Sequence, residues 1–189
     1  MLNFLNDAWQ LLRLRLKPVA EYRYPGFVVV AILLILGVVN AQAFMPILGL
    51  DQNGTVAVSL AFTVLNWAVF SQTMRLYFRW RGAPDLPLAH FVLLTQALMI
   101  PAMAFPYLPA GVAVVLSLVW QFWTLWVQIH GFARFSQLSG LKILLGYVLY
   151  VVTLVLASTL LMLALISFGV LDANVIVDNV EAMQQAVEP

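Results

Sequence analysis

Apolar residues run through this chain in long stretches, interrupted by short polar turns. Five stretches extend approximately over 27–48, 55–78, 86–107, 111–132 and 143–168. Each reaches the roughly 20 apolar residues that carry an α-helix across a bilayer at about 1.5 Å per residue. The interruptions carry turn chemistry: GLDQNG at 49–54, GAPDLP at 82–87, PYLP at 106–109 and SQLSG at 136–140. No stretch alternates polar and apolar residues, so the period argues against a β-barrel. The pattern predicts an all-α membrane protein, a five-transmembrane-helix bundle over residues 27–168.

A different period precedes the bundle. Leu2, Leu5, Trp9, Leu12 and Leu16 recur at spacings of three and four, with Asn3, Asn6, Gln10, Arg13 and Lys17 on the opposite side. This predicts an N-terminal amphipathic interfacial helix over 1–17, ended by Pro18 and lying in the headgroup layer. Its apolar residues are dispersed and no small-residue cleavage site follows, unlike a signal peptide. The tail, 171–189, carries Asp172, Asp178, Glu181 and Glu188 with no basic residue, and reads as a short exposed helix or a disordered segment.

Composition agrees with the pattern. Hydrophobic residues make up 63% of the 189 and charged residues 9%, against roughly 25% charged in soluble domains. So few charges could not cover a water-exposed surface of this size. Placement of the charges adds an orientation. The segments between and around the spans hold, in order, four, zero, three, zero, two and zero basic residues. They are Arg13, Arg15, Lys17 and Arg23, then Arg75, Arg79 and Arg81, then Arg134 and Lys142. Lys and Arg are retained on the cytoplasmic side during insertion. The expectation is a multi-pass protein of the cytoplasmic (inner) membrane, N-terminus cytoplasmic and C-terminus periplasmic or extracellular. The basic side would serve as a lipid or partner face, with anionic lipid favoured and no nucleic acid expected.

Candidate chemistry is sparse. No Asp, Glu, Lys or Arg lies deep within a span, which counts against an ion-coupled transporter. HExxH and a glycine-rich phosphate loop are absent. No cysteine is present to act as a nucleophile or thiolate ligand. The expectation is a protein that is not an enzyme and holds no cofactor. His90 and His130 stand 18 residues before and 22 after Leu108, so their depths differ by only about 6 Å. A haem bridged between them is a remote alternative, since further ligands are missing.

Uncharged polar residues form stripes. Ser117, Gln121, Thr124 and Gln128 share one face of the fourth span; Ser59, Thr63, Asn66 and Thr73 share one face of the second. Asn40 lies in the first span and Gln96 in the third. Amides avoid lipid, so these side chains should point inward, as interhelical glue or as a polar path. Trp120, Trp123 and Trp126 cluster in the middle and lower half of the fourth span, two of them too deep for an interfacial belt, and packing against neighbouring helices is their expected use.

The stretch 122–160, FWTLWVQIHGFARFSQLSGLKILLGYVLYVVTLVLASTL, resembles the last helical hairpin of the YIP (Ypt/Rab-interacting-protein-like) family of polytopic membrane proteins, bacterial branch. Its fixed points are Trp126, Gly131, Arg134, Ser139–Gly140 and Lys142, with Arg79–Gly82 and Pro101 in the preceding hairpin. The similarity covers roughly residues 60–165. It implies a non-catalytic membrane protein that organises membrane or partner proteins. The alternative is a small permease or channel subunit with a polar path between the second and fourth spans.

Overall fold

The computed structural model describes residues 2–185; Met1 and residues 186–189, including Glu188, lie outside the described residues. Seven α-helices and no strand occur among them: α1 (Leu2–Leu12), α2 (Gly26–Leu48), α3 (Gln52–Trp80), α4 (Ala89–Ala97), α5 (Ala110–Ser136), α6 (Gly140–Ser167) and α7 (Ala173–Gln185). Five segments are long and apolar enough to cross a membrane: α2, α3, Ala89–Tyr107, α5 and α6. The predicted spans and the observed helices agree within a few residues, except in the third.

That third span is not one α-helix. It is α-helical only over α4 and continues as a 3-10 helix over Ile100–Tyr107. Pro101 is the cause: it has no N–H for the Ala97 carbonyl, and its ring crowds that carbonyl. Bonding tightens before it, with the Met99 N–H donating to the Gln96 carbonyl. The Ala102 N–H then bonds the Met99 carbonyl at 3.0 Å, which leaves the Leu98 carbonyl without its helical donor. The indole N–H of Trp120 takes that place at 2.8 Å. One deep tryptophan is thereby accounted for. Trp123 and Trp126 are exposed, beside Phe122, along an outward groove of about 860 Å³ lined by α5 alone. In a bilayer that groove faces acyl chains. Trp120→Phe is expected to cost about 1–3 kcal/mol, because it orphans a buried carbonyl; Trp123→Phe should change little. Unfolding in mixed detergent micelles compares the two.

Three glycines mark where helices cross most closely. A Cβ at Gly37 would meet Leu60 of α3, one at Gly146 would meet Tyr77, and one at Gly131 would meet Phe91. Small residues let membrane helices approach without a hydrophobic driving force between them. Gly49 ends α2 for another reason: its φ of +63° is left-handed, and Val175 of α7 occupies the space a side chain would need. The tail is thus an ordered helix in its described part. It lies against the end of α2, where Asn179 Nδ2 donates to the Ile47 carbonyl at 3.2 Å.

The N-terminal helix departs from its predicted extent. It stops at Leu12, well before Pro18. Leu14 takes a left-handed φ of 58°, its N–H bonds the Leu11 carbonyl, and the Arg15 N–H reaches back to the Gln10 carbonyl. This is a Schellman turn with leucine where glycine is usual. The reversal has a function in the fold. In a continuous helix Asp7 and Lys17 would be about 15 Å apart; here Lys17 Nζ lies 2.6 Å from Asp7 Oδ1.

Candidate functional site

Two places in the fold gather the polar side chains. The first is the end of the bundle where the basic segments meet. Tyr22 packs on Phe135 at 6.3 Å between ring centroids, Phe78 on Phe132 at 5.5 Å, and the Tyr77 hydroxyl donates to the Lys142 carbonyl at 2.7 Å. These contacts bring the segments carrying Arg13, Arg15, Lys17 and Arg23, then Arg75, Arg79 and Arg81, then Arg134 and Lys142 to one end. Arg75 is engaged there by Asp85, through Nε at 2.6 Å and a second nitrogen. That bidentate bond holds the Asp85 carboxyl below the usual aspartate range. At the opposite end stand Asp51, Asp172, Asp178 and Glu181.

At the basic end α1 uses two apolar faces. Phe4, Asp7 and Leu11 are buried, Phe4 stacking edge-on against Tyr24 at 4.9 Å. Leu2, Leu5 and Trp9 are 83%, 63% and 55% exposed. Of the predicted apolar ridge Leu2, Leu5 and Trp9 are therefore free, Leu12 and Leu16 pack partly on the core, and a second face docks the helix to the bundle. Docking centres on Asp7, which accepts from Lys17 and, at 3.0 Å, from the Tyr24 hydroxyl. The Tyr22 hydroxyl in turn accepts the Lys17 backbone N–H at 3.1 Å. The hydrogen bond to Asp7 raises the Lys17 amine above its ordinary value, and burial raises the Tyr22 and Tyr24 phenols. A helical-wheel reading of α1 passes over Asp7, because a lone acid next to an apolar stripe looks solvated.

The second place is the middle of the bundle. A chamber of about 240 Å³ is lined by Asn66, Thr95, Gln96, Gln121, Thr124 and Gln128, with the Tyr147 and Tyr150 rings. An adjoining one of about 300 Å³ is lined by Asn40, Thr63, Asn66 and Ser158 among apolar neighbours. Asn66 belongs to both. Most of the polar stripe residues thus converge, and many bond across helices. Ser59 Oγ donates to the Gly37 carbonyl at 2.7 Å and Asn40 Nδ2 to Thr63 Oγ1 at 3.1 Å. The Tyr147 hydroxyl donates to Gln128 Oε1 at 2.6 Å, and Gln128 Nε2 to Thr95 Oγ1 at 2.7 Å. Tyr150 donates to Asn66 Oδ1. Thr124 bonds the Gln121 carbonyl of its own helix. Ser117 is half-buried and lines neither chamber. Thr73, also of the second-span stripe, is buried but lines neither chamber.

Tyr147, Tyr150 and Thr95 were not legible as partners. The fifth span reads as lipid-soluble, and only the two phenols three residues apart hint at an inward polar line. Nor did the sequence announce the barrier beside the chamber. Phe132 stacks edge-on with Phe70, Phe78 and Phe91 at 5.8, 5.5 and 5.5 Å, and Met74, Val127 and Ile143 are fully buried near it. This aromatic plug separates the chamber from the basic end.

His90 stands edge-on to Tyr24 at 5.7 Å, its Nδ1 buried without a partner, while His130 is exposed on α5. No group of three His, Cys, Asp or Glu placed to hold a metal occurs among the described residues.

Comparison with protein-family models, with curated proteins and with solved structures finds no match for the chain. Fold and site therefore define the class by themselves: an all-helical integral membrane protein with five helices fit to span the bilayer.

Proposed function

We propose that this chain is a non-catalytic organiser of membrane or of membrane-protein partners, of the YIP kind, seated in a cytoplasmic (inner) membrane with its basic end in the cytoplasm. The observation that carries this reading is the docked α1, fastened to the bundle by one face and still offering Leu2, Leu5 and Trp9 on another. Such a ridge suits the boundary between headgroups and acyl chains. Each side chain that enters it contributes up to about 2 kcal/mol. The end of the bundle that carries it holds nine basic residues against Asp7, Glu21 and Asp85, and each cation near anionic lipid adds about 1 kcal/mol. Because α1 packs against α4 and α5, and Asp7 ties it to the segment that leads into α2, insertion of the ridge transmits to the bundle as a wedge in one leaflet. The aromatic plug around Phe132 favours this reading over a permease, since a solute path from the chamber to the basic end would need those rings to part.

A chain without cysteine allows clean labelling at single introduced sites. In vesicles, an environment-sensitive dye on Trp9→Cys is expected to be quenched by lipids brominated near the headgroup, more strongly with anionic lipid. Arg79→Cys and Asp178→Cys should react with an impermeant maleimide from opposite sides. A dye at position 9 that stays in water whatever the lipid sinks the wedge; labelling of both cysteines from one side sinks the orientation.

A further inference from the structure

The central chamber has features that interhelical glue does not require. Gln96 Oε1 is buried and has no hydrogen-bond partner. Asn66 spends its carbonyl oxygen on Tyr150, which leaves its amide N–H groups to donate elsewhere. Gln121 lines the chamber and is exposed. A buried amide oxygen left unpaired lowers stability, so a Gln96 amide kept on the chamber wall at that cost is the mark of a guest.

The position restricts the guest. Asn66 is the midpoint of α3, 14 residues from Gln52 and 14 from Trp80, hence about 21 Å along the helix from either end. The plug closes the chamber toward the basic end. The side is open: beyond the Tyr147–Gln128 bond α6 follows α3, while α5 turns to the 3-10 segment, Trp120 stacking on Phe105 at 6.1 Å. Gln121 and Leu125 are exposed on the α5 edge of that gap. Entry is therefore from the hydrocarbon core, so the guest carries an apolar chain.

The lining restricts its head. No Asp, Glu, Lys, Arg or His borders either chamber, and a charge there would lose its hydration unpaired. The head is neutral. It must both donate and accept among the amides and hydroxyls of the lining, the Gln96 amide included, and a volume of about 240 Å³ admits a head of glycerol or single-ring size. We infer that the chamber is a lateral binding site for an uncharged, hydroxyl-bearing lipid of the acylglycerol type. This inference is independent of the role proposed for α1.

The probe is a monoacylglycerol with a diazirine near its head, applied to the full chain in phosphatidylcholine nanodiscs and mapped by mass spectrometry. Labelling is expected to saturate, to fall on the border of the gap around Gln121 and Leu125, and to be displaced by unlabelled monoacylglycerol. Gln96→Leu should reduce it about tenfold, the equivalent of one hydrogen bond, while raising the melting temperature because it removes an orphan. Labelling that never saturates, or that a diazirine alkane or a photoreactive fatty acid reproduces, overturns the assignment. So does a Gln96→Leu protein that labels like wild type, or one that melts lower, which would mean that Gln96 serves the fold.

Discussion

Gly131→Ala is expected to weaken the bundle more than its single methyl suggests, and Gly131→Leu to weaken it further. A Cβ at this position would overlap Phe91 Cζ. Phe91 cannot give way, being fully buried and wedged against Phe132, Phe135 and Tyr22 at centroid distances of 5.5, 4.9 and 5.7 Å. Overfilling such a site costs about 1–3 kcal/mol, occasionally more. Alanine regains about 1 kcal/mol from its higher helix propensity and leucine nearly as much, so leucine's greater net loss comes from the volume it must displace. For a chain of this length each kcal/mol lowers the melting temperature by about 2–4 °C. Gly111→Ala is the control: nothing lies within 4 Å of a Cβ there, and stability should hold or rise slightly. Adding Phe91→Leu to Gly131→Ala should recover part of the loss, since the pair shares one space. A Gly131→Ala protein as stable as wild type would mean that α4 and α5 do not cross this closely.

Asp7→Ala is expected to release α1 while the spans stay folded. The substitution removes the acceptor of the buried Tyr24 hydroxyl and of Lys17 together. Losing the partner of a buried hydroxyl costs about 1–3 kcal/mol. The amine adds less, because the Lys17 side chain is 37% exposed and rehydrates. A docked helix held by Phe4, Leu11 and this pair has little beyond that to hold it. Trypsin cleavage after Arg13 and Arg15 should accelerate about 5- to 30-fold, as 1–2 kcal/mol implies. Alkali should do what the substitution does. Docking raises the Lys17 amine above 10.5 and the Tyr22 and Tyr24 phenols above 10.0. Groups raised on docking stabilise it fully below their free values, and that contribution fades as pH climbs through the docked ones. Undocking should therefore begin above about pH 10 and be missing at neutral pH, read from the mobility of a probe at position 9. An Asp7→Ala protein that already undocks at pH 7, with no further alkaline step, ties both effects to the same carboxylate.

Span number and the gathering of basic residues at one end were legible because both are one-dimensional properties. Twenty apolar residues in a row have one low-energy solvent, and an odd number of crossings with alternating loops puts every second loop together. The polar stripes were legible for a related reason: helical spacing decides which side chains share a face. The extent of α1 was not legible, since a left-handed leucine at position 14 has no sequence signature and is held by a contact between residues 7 and 17. The broken third span was half legible; Pro101 is visible, but its neighbours continue the apolar run.

What the sequence alone determined, then, is the solvent, the number of crossings and the faces that turn inward, because these follow from local composition and helical period. Tertiary structure decided which inward groups meet. It paired Tyr147 with Gln128 and Tyr150 with Asn66, seated Trp120 on the carbonyl that Pro101 sets free, and left the buried Gln96 Oε1 without a donor. Those outcomes depend on the rotation and depth of one helix against another. Close contacts at Gly37, Gly131 and Gly146 set both, and no pattern along a single helix encodes them.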